Sequence, residues 1–193
     1  DVCSSDLDNL VRDDHPPLED EHSCRIYAGD FLREQGVERL DLLLITHFHR
    51  DHIGGLGRVL DQVAVDELAA TYIPPLCPAP LDPDGDNGLP KAARNVLRCV
   101  DLYARALADH PGQVGHCTEL SGGRLEQWQL TPDLRMDILA GEPALYPRQR
   151  KLYDAAFAGV RDGYGLVHWG KSMNVSSLRQ RLYYHGREIV LGG

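Results

Sequence analysis

Residues 42–56 read LLLITHFHRDHIGGL. An apolar run from Leu42 to Ile45 opens into a segment that holds His47, His49, Asp51 and His52 within six positions, and Gly54-Gly55 follows at once. The run is too short for an independent helix and suits a strand buried on both faces. Such a strand makes a rigid platform for the loop beyond it. His47 and His49 are separated by one residue, so in an extended segment both imidazoles point the same way and can converge on one ion. Asp51 and His52 come after a turn and offer a carboxylate and a third imidazole from another direction, which suits a second ion nearby. The two glycines let the chain turn tightly into the next element.

On either side of this stretch the pattern alternates between helix and strand. Ile26, Phe31 and Leu32 recur at helical spacing between Arg25 and Gln35, with Gly36 placed as a C-terminal cap. After the histidines, Leu56, Val59, Leu60 and Val63 share one helical face, and ELAATYIP (67–74) reads as a second buried strand. Residues 74–90 are rich in Pro, Asp and Gly and read as a long loop. Within it DPDGDNG (82–88) imitates a calcium loop, but its last Gly comes one place late and no Glu closes it.

Residues 90–112 form the clearest helix. Val96, Val100, Tyr103 and Leu107 line one face, Pro90 sits at its start, and Pro111-Gly112 ends it. Strand-like pieces follow at 114–120, 124–130 and 134–140. The polar and aromatic stretch 146–165 reads as a flap or a short helix. NVSSLRQRLYY (174–184) and REIVLGG (187–193) read as two strands around a His185-Gly186 turn. Elements interleave early and segregate late, which predicts packed sheets with helices outside.

The bulk properties narrow the function. With 193 residues, 42% hydrophobic and 25% charged, the chain can bury a full core and is not of the disordered class. A net charge of -9 argues against broad, sequence-independent nucleic-acid binding but leaves room for a local basic groove. No apolar run reaches membrane-spanning length. The five cysteines, at 3, 24, 77, 99 and 117, form no C-x-x-C pair, which predicts reduced thiols rather than a zinc finger or a disulfide framework. Compartment and oligomeric state are not legible in the sequence.

THFHRDHIGG (46–55) resembles the H-x-H-x-D-H signature of the metallo-β-lactamase superfamily, with His47, His49, Asp51 and His52 all in place. The resemblance implies an α+β fold: an αββα sandwich with its site at the edge between the sheets and two zinc ions bound there. By it, His47 and His49 hold the first ion and Asp51 and His52 the second, with Asp51 also the catalytic residue that orients the attacking water. GVERLDLLLITHFHRDHIGGL (36–56) further resembles the hydrolase domain of ComEC-type competence proteins of bacteria. The C-terminal half agrees, with Asn174 and Ser176 or Ser177 where that type carries an Asn-x-Ser-Leu strand.

The implied activity is hydrolysis by a metal-activated water, with a phosphodiester or nucleic-acid substrate favoured over an ester, thioester or β-lactam. A small-molecule substrate remains open. A non-catalytic binding domain or an inactive fragment is the alternative from another class. Arg50, Arg148, Arg150 and Lys151 are candidates to meet an anionic substrate, with Lys171 and Asn174 at the pocket rim. The superfamily also expects a third histidine for the first ion, for which His116, His168 and His185 are the candidates, and a metal-bridging Asp after the last Gly.

Both ends invite expectations of their own. DVCSSDL (1–7) back-translates to a string matching the tail of a widely used sequencing adapter, so residues 1–7 are read as a non-native scar. Residues 8–193 are then an incomplete metallo-β-lactamase-like domain, truncated at both ends, whose remaining ligands lie beyond Gly193.

Overall fold

The computed structural model describes residues 27–75, 78–83, 85, 88–120, 126–139 and 141–192. The proposed scar at 1–7, the acidic stretch 8–24, Cys3, Cys24, Cys77, parts of the 82–88 loop and Gly193 lie outside the described residues.

Two sheets stack. The first is parallel, in the order β1 (Arg39–Ile45), β2 (Ala64–Ala70), β3 (Val114–Glu119). Its crossovers carry the helices: α2 (Arg50–Ile53) and α3 (Leu56–Gln62) between β1 and β2, and α4 (Lys91–Asp109) between β2 and β3. The second sheet is an antiparallel meander of β4 (Glu126–Thr131), β5 (Leu134–Leu139), β6 (Arg179–Tyr184) and β7 (Arg187–Leu191). A helix α1 (Ala28–Glu34) precedes β1, and α5 (Tyr146–Phe157) and α6 (Gly163–Gly170) lie between β5 and β6.

β1 shows why the apolar run reads as it does. Leu43 and Ile45 join the large core between the parallel sheet and the helices, with Leu60, Leu68, Leu97, Val100, Tyr103 and Trp169. Leu42 and Leu44 point the other way, into the cluster between the sheets, with Ala69, Met136, Ile138, Tyr146 and Leu178. A strand covered on both faces has no polar side to offer, hence the unbroken run. The second sheet obeys the opposite rule. Met136 and Ile138 face the core, while Arg135 and Asp137 are joined 3.2 Å apart and Arg135 stacks on Tyr183 at 4.1 Å. One packed and one polar face is the ordinary state of an antiparallel sheet. Helices, parallel sheet and antiparallel sheet in succession are consistent with the expected α/β sandwich.

Several boundaries differ from expectation. β2 starts at Ala64, three residues early, because Val65 already pairs alongside Leu40. The stretch 146–165, expected as a flap or a short helix, takes the helical form as α5 and the start of α6, and these helices bury Tyr153, Leu166 and Trp169. Their apolar residues belong to the core, not to a mobile cover. The strand expected from Asn174 begins only at Arg179, since residues 171–176 form turns. Gly36 does cap α1, with φ at 69° and the Val37 amide bonded to the Leu32 carbonyl at 2.9 Å. His185 and Gly186, with φ of 47° and 75°, make the tight hairpin turn between β6 and β7. Cys99 and Cys117 are free thiols. Among the described residues no helix is long and apolar enough to cross a membrane.

Candidate metal centre

The C-terminal end of β1 delivers the histidine segment to the boundary between the sheets. Thr46, His47 and Phe48 continue the extended chain, and α2 starts at Arg50 with His49 as its cap residue. Phe48 points into the core, 1% exposed, against Tyr103 and Tyr153. That anchor sends His47 and His49 to the opposite side, as alternation along an extended segment requires. The single turn of α2 then brings Asp51 and His52 back to the same place.

The donors converge. His47, Asp51 and His52 each offer a ligand atom, and these atoms lie within 4.8 Å of one another. His49 joins through its neighbour: His47 Nε2 and His49 Nδ1 are 3.0 Å apart. Two nitrogens at zinc-ligand distance from one tetrahedral ion are about 3.3 Å apart, so this spacing fits a shared cation. His52 Nε2 and Asp51 Oδ2 are 3.2 Å apart, a second pair of the same kind. The rings of His47 and His52 touch with centroids 3.9 Å apart and planes tilted by 45°.

Electrostatics keep the key ring neutral. Burial pushes the His47 pKa down to about 4, helped by the neighbouring His52 and His49 and opposed by Asp51. Burial likewise lowers that of His52, against the pull of Asp51. At neutral pH both therefore carry a free lone pair, the form a metal requires. The donor set of neutral imidazoles and a carboxylate, crowded into one partly buried spot, fits a divalent cation.

Two hydroxyls complete the group, and the motif by itself does not reveal their task. Ser177 Oγ lies 3.1 Å from His47 Nδ1. Thr46 Oγ1 lies 3.3 Å from His47 Nδ1 and 3.2 Å from His52 Nδ1. Ser177 is 130 positions from His47 and reaches it from the turn before β6, which is tied to β1 by the bond from the Leu178 amide to the Thr46 carbonyl at 3.0 Å. Only the Asn-x-Ser-Leu likeness hinted at this serine, without giving it a contact.

A cleft of about 660 Å³ opens beside the group, lined by His49, Arg50, Asp51, Asp82, Arg98 and Arg105 among others. Arg98 and Arg105 stand two turns apart on α4, which crosses in front of the loop. Asp101, on the same wall, is buried and held by Arg105 Nε at 2.8 Å and by the Leu81 amide at 2.9 Å. Of the cations expected from sequence, Arg50 lines the cleft; Arg148, Arg150 and Lys151 do not. Arg150 is paired with Glu119 instead. Lys171 and Asn174 are exposed in the turns after α6.

None of the three candidate histidines joins the donor group. His116 is exposed on β3, two strands away from β1. His168 is on the exposed side of α6, and His185 is in the hairpin turn.

The sandwich carries, at the mouth of a parallel strand, a donor group that could hold a metal ion. Compared with protein-family models, residues 24–83 match the metallo-β-lactamase superfamily. The match spans α1 to β2 and so includes every donor residue of the group. No curated protein matches the chain.

Proposed function

We propose that the protein is a zinc-dependent hydrolase acting on phosphodiesters, with nucleic acid as the polymeric form of that substrate. The convergence of His47, His49, Asp51 and His52 beside an arginine-lined cleft carries this reading. His47 and His49 would hold one ion, and Asp51 and His52 a second. When bound, zinc there would supply a water acidic enough to attack near neutral pH and a positive charge for the departing oxygen. Asp51 Oδ2 faces His52, which leaves Oδ1 able to hold the proton of the attacking water. Further donors expected of such a site are not among the described residues.

The substrate class rests on the cleft. Arg50, Arg98 and Arg105 line it together with Asp51, Asp82 and Asp101, with Arg105 paired to Asp101. Guanidinium groups next to the donors, on a chain of net charge -9, offer the charged hydrogen-bond donors that suit an anionic diester better than a neutral ester or lactam.

Zinc-loaded protein offered bis-p-nitrophenyl phosphate, nitrocefin and a thioester distinguishes the cases. Turnover of the diester is expected, with Arg50→Ala and Arg98→Ala raising KM for the diester by about 10- to 150-fold, the loss of one charged hydrogen bond each. Lactam or thioester turnover without diester cleavage overturns the substrate class. Absence of all three activities from a metal-loaded protein favours a binding domain.

A further inference from the structure

We infer that Ser177 is a positioning residue of the metal centre, through which the second sheet sets the ring and the proton of His47. The inference rests on the metal reading above for its purpose, but its geometry stands without a metal. His47 is 4% exposed, so solvent cannot set the state of its ring. Its Nε2 faces His49 Nδ1 at 3.0 Å, toward the donor group. Its Nδ1 faces away, toward two hydroxyl oxygens at 3.1 and 3.3 Å. An imidazole can offer a lone pair at Nε2 only if its proton sits on Nδ1, and a buried N–H needs an acceptor. Ser177 Oγ is the nearer one.

The serine is itself well fixed. It is 3% exposed, and its amide bonds to the Asn174 carbonyl at 3.2 Å. The preceding Ser176 is locked by its hydroxyl on the Met173 carbonyl at 2.7 Å and by its own carbonyl, which accepts from the Tyr146 hydroxyl at 2.9 Å. The following Leu178 bonds to Thr46. The serine's backbone therefore cannot drift from β1. Thr46 plays a different part. Its hydroxyl is shared between His47 and His52, so it cannot serve His47 alone. A partner of this kind, fixing the tautomer of a ligand histidine, typically changes metal affinity about 10- to 100-fold when lost.

The test compares wild type, Ser177→Ala and Ser177→Thr in the whole chain. Nitrogen NMR of the metal-free proteins reports which ring nitrogen of His47 carries the proton. Competition against a chelator gives the zinc affinity, and the visible spectrum of the cobalt-loaded protein reports ligand geometry. We expect the Nδ1–H tautomer in wild type and in Ser177→Thr, its loss in Ser177→Ala, and zinc bound about 10- to 100-fold more weakly by Ser177→Ala alone. An unchanged tautomer in Ser177→Ala overturns the inference. So does a wild-type zinc affinity in Ser177→Ala with an unaltered cobalt spectrum. If wild type binds no zinc but its tautomer still depends on Ser177, the metal reading fails while the positioning role stands.

Discussion

Tyr146→Phe removes one oxygen atom and no volume, and its consequence can be worked out in advance. The Tyr146 hydroxyl accepts from the Gly141 amide at 3.1 Å and donates to the Ser176 carbonyl at 2.9 Å. The side chain is 4% exposed and belongs to the core between the sheets. It thereby staples the start of the 3₁₀ turn Pro143–Leu145 to the segment that carries Ser177. The contact is close: a Cβ on Gly141 would meet the Val175 carbonyl oxygen at 2.3 Å, so water does not fit between the two backbones. With phenylalanine, an amide and a carbonyl lose a partner in a dry place. Each hydrogen bond is worth about 1 kcal/mol net, and each orphaned buried group costs about 1–3 kcal/mol. The expected loss is about 2–3 kcal/mol, read by urea unfolding with an unchanged m value. In a domain of this size that lowers Tm by roughly 4–10 °C. Zinc affinity should fall as well, because the serine's anchor loosens. A loss below about 0.5 kcal/mol would refute the staple, since it would mean that water replaces the hydroxyl.

Three further outcomes follow from other contacts. Gly29→Ala should destabilise by about 1–3 kcal/mol despite alanine's better helix propensity, because its Cβ would sit 2.4 Å from the Arg58 carbonyl oxygen where α1 crosses α3; thermal unfolding reads it. Trp169→Phe should cost about 2–4 kcal/mol in chemical denaturation, since Trp169 is 1% exposed and its Nε1 donates to the Tyr153 hydroxyl at 2.8 Å. His110 caps α4, with Nδ1 on the Ala106 carbonyl at 2.6 Å and Nε2 on Asp61 at 2.9 Å. Partial burial works to lower its pKa, but the bonds to Asp61 and Ala106, with the charges of Asp61 and Asp109, outweigh it and the net shift is upward. The raised pKa means that its stabilisation is complete below about 6.5, the unfolded value, and fades as pH rises through the folded value. His110→Gln should therefore lose stability at pH 5.5 and little at pH 8.5, with a difference of at most about 1 kcal/mol because Asp61 is 59% exposed. Equal losses at both pH values would show that the charge plays no part.

Where local rules dominate, the sequence was legible. The run Leu42–Ile45 announced a strand buried on both faces, and Leu42 and Leu44 do face one core while Leu43 and Ile45 face the other. The periodicity of α4 and the cap at Gly36 were equally local. In sequence the stretch 146–165 stays open between a flap and a short helix because the apolar residues of α5 and α6, Tyr153 and Trp169 among them, sit among charged and glycine neighbours. Their burial comes from contacts with Phe48, Tyr72 and each other, which no local pattern carries.

The donor group divides in the same way. The sequence places His47, His49, Asp51 and His52 close in chain after a buried strand, and ligand atoms of His47, Asp51 and His52 do gather within 4.8 Å, with His49 Nδ1 3.0 Å from His47 Nε2. Tertiary structure decided the rest. It set His116, His168 and His185 apart from the donors, placed Arg98 and Arg105 across the cleft, and brought the Ser177 hydroxyl to His47 over 130 positions. The reason is one of range. Ligand spacing is a property of a few adjacent residues. A hydrogen-bond partner from the other sheet exists only after β1 and β6 have been docked by the cores that hold them.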